Sequence, residues 1–184
     1  MKLENFRGIP LISTLIIALL ASCYIQISYI PEIIPEYGEF LTKFGEDIKN
    51  LEILMLVISF IFQLFILIAT IGMEVILVYM AVYFFYKKRL QLREFTQPVM
   101  LATLCVLFIN IIMSLLLLPT TQDIDTLKNI TMFSPVNFLV KPVIICYFLY
   151  EKKILPAKLV EWIKLSLVYV LVTCIPGVIM LIIY

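Results

Sequence analysis

An all-α fold of membrane-spanning helices is predicted by three features of this 184-residue chain. Hydrophobic residues make up 63% of it and charged residues only 15%, against roughly 45–50% and about 25% in soluble domains. Mean hydropathy is +1.09. The apolar residues fall in five long runs, and the short connectors between them carry nearly all the charge. A chain this small leaves much of its surface exposed when it folds, so one water-bounded core cannot hide that much apolar area. The class expected is a polytopic integral membrane helical bundle: five transmembrane helices and an amphipathic outer-face helix, in a single domain over residues 1–184. The same composition excludes a secreted disulfide scaffold, a disordered chain and a nucleic-acid binder; net charge is +1, with no basic tract.

A helix needs roughly 20 mostly apolar residues to cross about 30 Å of hydrocarbon. Ile9–Ile30, Leu51–Tyr86, Val99–Leu118, Met132–Tyr150 and Leu165–Tyr184 all qualify. The connectors alternate in sign. Lys2 and Arg7 precede the first span; Glu32, Glu36, Glu39, Glu46 and Asp47 outweigh Lys43 and Lys49 after it. Lys87, Lys88, Arg89 and Arg93 follow the second span, Asp123 and Asp125 the third, and Lys152, Lys153, Lys158 and Lys164 the fourth. Basic loops stay cytoplasmic. That rule places the N-terminus inside and the C-terminus outside the membrane.

The second stretch would be about 54 Å long as one helix, more than the bilayer needs. A hairpin at Gly72 would return both ends to one side, against the acidic and basic flanks, so a single tilted or projecting helix is expected. Before it, Ile33, Ile34, Tyr37, Phe40, Leu41, Phe44 and Ile48 repeat at 3–4 spacing with the charges on other faces. This predicts the outer amphipathic helix over 33–48, lying on the membrane or the bundle.

Leu20-Ala21-Ser22-Cys23, after a basic start and an apolar run, has the form of a lipoprotein signal in which Cys23 would be lipidated. The apolar run continues to Ile30, which favours a retained span. Cys23, Cys105, Cys146 and Cys174 each stand alone, without the paired spacing of a thiolate metal site, and read as small buried hydrophobes. Histidine is absent, so HExxH metal chemistry and imidazole bases are excluded. The chain has no GxSxG elbow or phosphate loop, and no span contains an aspartate. The expectation is a protein that is not an enzyme and uses no cofactor and no metal.

Two charged residues lie deep within spans. Glu74 is about 20 Å from the basic end of its helix and Lys141 about 15 Å from its own; Asn110, counted from Pro98, falls at about 18 Å. Glu74, Asn110 and Lys141 are thus expected to form one polar layer near mid-membrane, since intramembrane charges face the bundle interior. Such a layer either pins helices in register as a neutral pair or serves as an ion or ligand site. Pro135, Pro142 and Pro176-Gly177 mark expected kinks in the last two spans.

Tyr83-Phe84-Phe85-Tyr86-Lys87-Lys88-Arg89 recurs as Tyr147-Phe148-Leu149-Tyr150-Glu151-Lys152-Lys153. Convergence on the aromatic-then-basic boundary of a cytoplasmic helix end explains this more simply than duplication. On these two boundaries and the order of spans and loops, residues 7–160 resemble the YdgK-like family, a bacterial inner-membrane group of unknown function. The chain departs from that pattern at Arg7-Gly8-Ile9-Pro10, where the family has Gly-Gly-Trp-Leu, and in its fifth span. The resemblance implies a membrane bundle and brings no site residues with it.

The function expected is that of a small integral membrane protein acting as an accessory or interaction subunit. Its partners are the lipid bilayer and another membrane protein met by helix packing. One alternative is a small transporter or ion-coupled carrier using Glu74, Asn110 and Lys141; another is an immunity protein against a membrane-active toxin.

Overall fold

The computed structural model describes residues 8–33, 47–87, 90–117, 136–156 and 158–183. All regular structure among them is helical: α1 (Gly8–Ile33), α2 (Asp47–Tyr86), α3 (Arg93–Leu117), a π-helical turn (Val136–Val140), α4 (Lys141–Glu151) and α5 (Leu159–Ile183). Three helices are long and apolar enough to cross a membrane, over Pro10–Tyr29, Ile53–Tyr86 and Arg93–Leu116. Apart from its ends, the amphipathic segment 33–48 lies outside the described residues, as do Pro135 and the loop with Asp123, Asp125 and Lys128.

The long second stretch is one continuous helix of 40 residues, and no hairpin forms at Gly72. It contains no proline, and a Cβ at Gly72 would meet nothing within 4 Å, so that glycine serves neither a turn nor a close contact. Two prolines shape the other helices. Pro98 lies inside α3, where its missing N–H leaves the Glu94 carbonyl without a helical partner. Lys152 Nζ donates to that carbonyl at 3.3 Å. Pro142 occupies the first turn of α4. It cannot donate to the carbonyl one turn back, and the chain leading into it widens into the π turn. Pro176 and Gly177 fall within the bounds of α5.

The chain divides into two compact units, Met1–Ile68 with Leu107–Phe133, and Ala69–Val106 with Ser134–Tyr184. In the first, α1 is tied to the N-terminal half of α2 by polar side chains. Cys23 Sγ donates to Gln63 Oε1 at 3.2 Å, and Gln63 Nε2 donates to Gln26 Oε1 at 3.0 Å. Gln63 also lies 3.4 Å from Ser59 Oγ, one turn away on its own helix.

The second unit has a continuous apolar core. Val75, Val78 and Val82 of α2 meet Phe95, Val99 and Ala102 of α3, Ile145, Cys146 and Leu149 of α4, and Leu165 and Tyr169 of α5. Each set follows the 3–4 spacing of one helix face. Tyr79 adds an edge-on contact to Phe95 at 5.7 Å between ring centroids.

Candidate functional site: a buried carboxylate–ammonium–phenol cluster

Glu74, Lys141 and Tyr169 continue the core faces of their helices by one turn, at the same end of the second unit's core. Glu74 precedes Val78 by one turn, Lys141 precedes Ile145, and Tyr169 follows Leu165. All three are buried, at 7%, 6% and 3% exposure. Lys141 Nζ donates to Glu74 Oε1 at 2.6 Å. The Tyr169 hydroxyl donates to the same oxygen at 2.8 Å. The cluster therefore joins α2, α4 and α5 through one carboxylate oxygen.

Lys141 begins α4 at the junction with the π turn. π segments are frequent at functional positions because they shift the phase of the side chains that follow. Two charges out of water are tolerated only when paired with good geometry, and the 2.6 Å contact supplies that. The pairing is nevertheless one-sided. Among the described residues, Glu74 Oε2 and Thr103 Oγ1 are buried side-chain oxygens with no hydrogen-bond partner. A carboxylate oxygen in that state can accept a proton, a cation or a donor group of a ligand.

Of the predicted layer, Glu74 and Lys141 are brought together. Asn110 is half-buried on α3 and belongs to the first unit. Sequence reasoning did not single out Tyr169. Its signal was its spacing of one turn from Leu165 within an apolar span, since a buried tyrosine hydroxyl needs a partner. Gln26 and Gln63 were missed too, although amides in apolar runs commonly bond between helices. Cys23 is fully buried in mid-α1 and bonded to Gln63. Cys146 packs in the core, with Sγ 3.7 Å from Ser166 Oγ.

At its basic end the second unit is closed by two crossed contacts. The Tyr86 hydroxyl, at the end of α2, donates to Glu161 Oε2 of α5 at 2.8 Å. Lys152, after α4, reaches Glu94 of α3. The end of α2 is thus fastened to the start of α5, and the segment after α4 to the start of α3. Glu161 is held below the usual carboxylate range by the Tyr86 hydrogen bond, with partial burial opposing and Lys164 and Lys158 adding to the effect. Burial pushes the Lys152 ammonium below its usual range, with Glu94 pulling the other way. Among the described residues, no group of three or more His, Cys, Asp or Glu side chains is placed to hold a metal ion.

No family model, curated protein or solved structure matches the chain.

Proposed function

We propose that the chain is an accessory or interaction subunit of a bacterial inner-membrane assembly. In this reading five helices span the bilayer, the N-terminus is cytoplasmic, and a partner membrane protein packs along the N-terminal half of α2. One observation carries it: no residue from Ile53 to Met73 is buried, on a helix whose apolar stretch is too long for the membrane. The 34 residues of Ile53–Tyr86 measure about 51 Å. At about 40°, the steepest usual tilt, they still span about 39 Å against about 30 Å of hydrocarbon. Some of the apolar surface therefore emerges from the lipid, and a partner's helices would cover it. Leu54, Ile58, Ile61, Phe65 and Ile68 form its most exposed stripe, at the 3–4 spacing of a helix-packing seam.

Photo-crosslinking in intact cells from Ile58, Ile61 and Phe65 tests this, with Phe84 at the other end of α2 as the control. A discrete protein adduct from the first three positions, and none from Phe84, is the expected outcome. Adducts to lipid alone at all four positions would remove the basis for a partner.

The second reading, an ion-coupled carrier, rests on the unpartnered Glu74 Oε2. Under it, reconstituted vesicles show ion flux that Glu74→Gln abolishes. The absence of flux in the unaltered protein would leave the cluster a structural tie.

A further inference from the structure

The helices that end at the basic boundary do so in an unusual way. Lys87 has φ 51° and Lys153 has φ 58°, the left-handed conformation in which glycine is the usual residue. At the end of α4, Lys153 N–H donates to the Tyr150 carbonyl at 2.8 Å and Ile154 N–H to the Leu149 carbonyl at 3.0 Å. That pair of bonds is a Schellman motif with lysine at its left-handed position. At the end of α2, Lys87 N–H donates to the Tyr83 carbonyl at 2.9 Å, the simpler left-handed cap. A side chain carries a steric cost in both places, so two lysines stand where glycine would be easier.

Tyr86, beside Lys87, is bonded to Glu161 at the start of α5, and Lys152, beside Lys153, to Glu94 at the start of α3, so both helix ends lie at the basic end of the unit. The acidic groups there are engaged: Glu161 with Tyr86 and Lys164, and Glu151 with the Tyr147 hydroxyl at 3.3 Å. Among the described residues, no hydrogen bond or ion pair is formed by the side chains of Lys87, Arg93 or Lys153, and all three are exposed. Just before the two lysines, Phe84, Phe85, Tyr147 and Tyr150 are also exposed. Exposed aromatic rings of this kind sit at the lipid headgroup level, which puts the free cations at the depth of lipid phosphates.

We infer that Lys87, Lys153 and Arg93 form a binding site for the phosphate headgroup of an anionic phospholipid. The site is independent of the partner surface on α2. The lysines at the left-handed caps present their ammonium groups just past the aromatic belt, where the carbonyl ends of α2 and α4 also favour positive charge.

The test titrates the purified protein in detergent with dioleoylphosphatidylglycerol, with dioleoylphosphatidylcholine as the zwitterionic control, and counts bound lipids by native mass spectrometry. The unaltered protein and Lys87→Arg/Lys153→Arg should prefer the anionic lipid. Lys87→Gly/Lys153→Gly should bind it about 30-fold more weakly, the loss expected for two lysines at an anionic headgroup layer. The glycine variant should remain folded, because glycine adopts the left-handed conformation without steric cost. Unchanged lipid affinity in that variant would overturn the site. Displacement of the lipid by excess inorganic phosphate would overturn the lipid as its ligand.

Discussion

Lys141 and Glu74 meet at 2.6 Å through a single carboxylate oxygen, and Tyr169 donates to that same oxygen at 2.8 Å. Three helices of one unit are therefore joined at one atom, while the other oxygen of Glu74 is buried without a partner. A tie of this kind depends on charge balance: removing the cation strands an anion, whereas removing both charges leaves only a packing defect.

Lys141→Met should consequently destabilise the protein by about 3–5 kcal/mol, and Glu74→Gln/Lys141→Met should recover most of that loss. Thermal unfolding in one detergent, followed by helical circular dichroism, compares the two. A double variant no more stable than Lys141→Met would rule out charge balance as the role of the pair.

Tyr169→Phe removes one donor and keeps the ion pair. It should cost about 1.5–3 kcal/mol, as expected for a hydrogen bond to a charged group, and clearly less in a Glu74→Gln background. Equal costs in both backgrounds would mean that the hydroxyl acts through packing rather than through the carboxylate.

Gln63→Leu breaks the bonds from α2 to Cys23 and Gln26. Interhelical hydrogen bonds in membranes are each worth about 0.6 kcal/mol and at most about 1.7, so a modest loss is expected. A more sensitive readout is the rate at which the buried Cys23 thiol reacts with a membrane-permeant maleimide. That rate should rise in the variant, and an unchanged rate would show that other contacts hold α1 in place.

The Tyr86–Glu161 contact predicts a pH dependence. Glu161 titrates lower in the folded protein than in the unfolded chain, first because of the Tyr86 hydrogen bond. Its contribution is therefore present above the ordinary carboxylate value of about 4.3 and is lost as pH falls through the lower folded value. Tyr86→Phe should flatten the decline in melting temperature between about pH 5 and pH 3. An unchanged slope would assign that decline to other carboxylates.

Much of this protein follows from the order of its residues alone. Apolar run length and composition determine that it is helical and that several helices are long enough for a membrane, because backbone groups in lipid must bond within their own segment. The continuous α2 was legible in its uninterrupted apolar stretch and unlike flanks. Depth counting brought Glu74 and Lys141 to one level, since a fixed rise per residue turns sequence number into height. Height says nothing of rotation about the helix axis or of which helices are neighbours, and these were decided by packing. Only the folded unit placed Tyr169, absent from the sequence-derived layer, on the Glu74 carboxylate, and only it directed Lys152 to the carbonyl that Pro98 leaves free. Lysine, not glycine, at two left-handed helix ends was likewise invisible beforehand, because a cap conformation is set by the turn that follows it and by buried contacts such as that of Ile154 in the core.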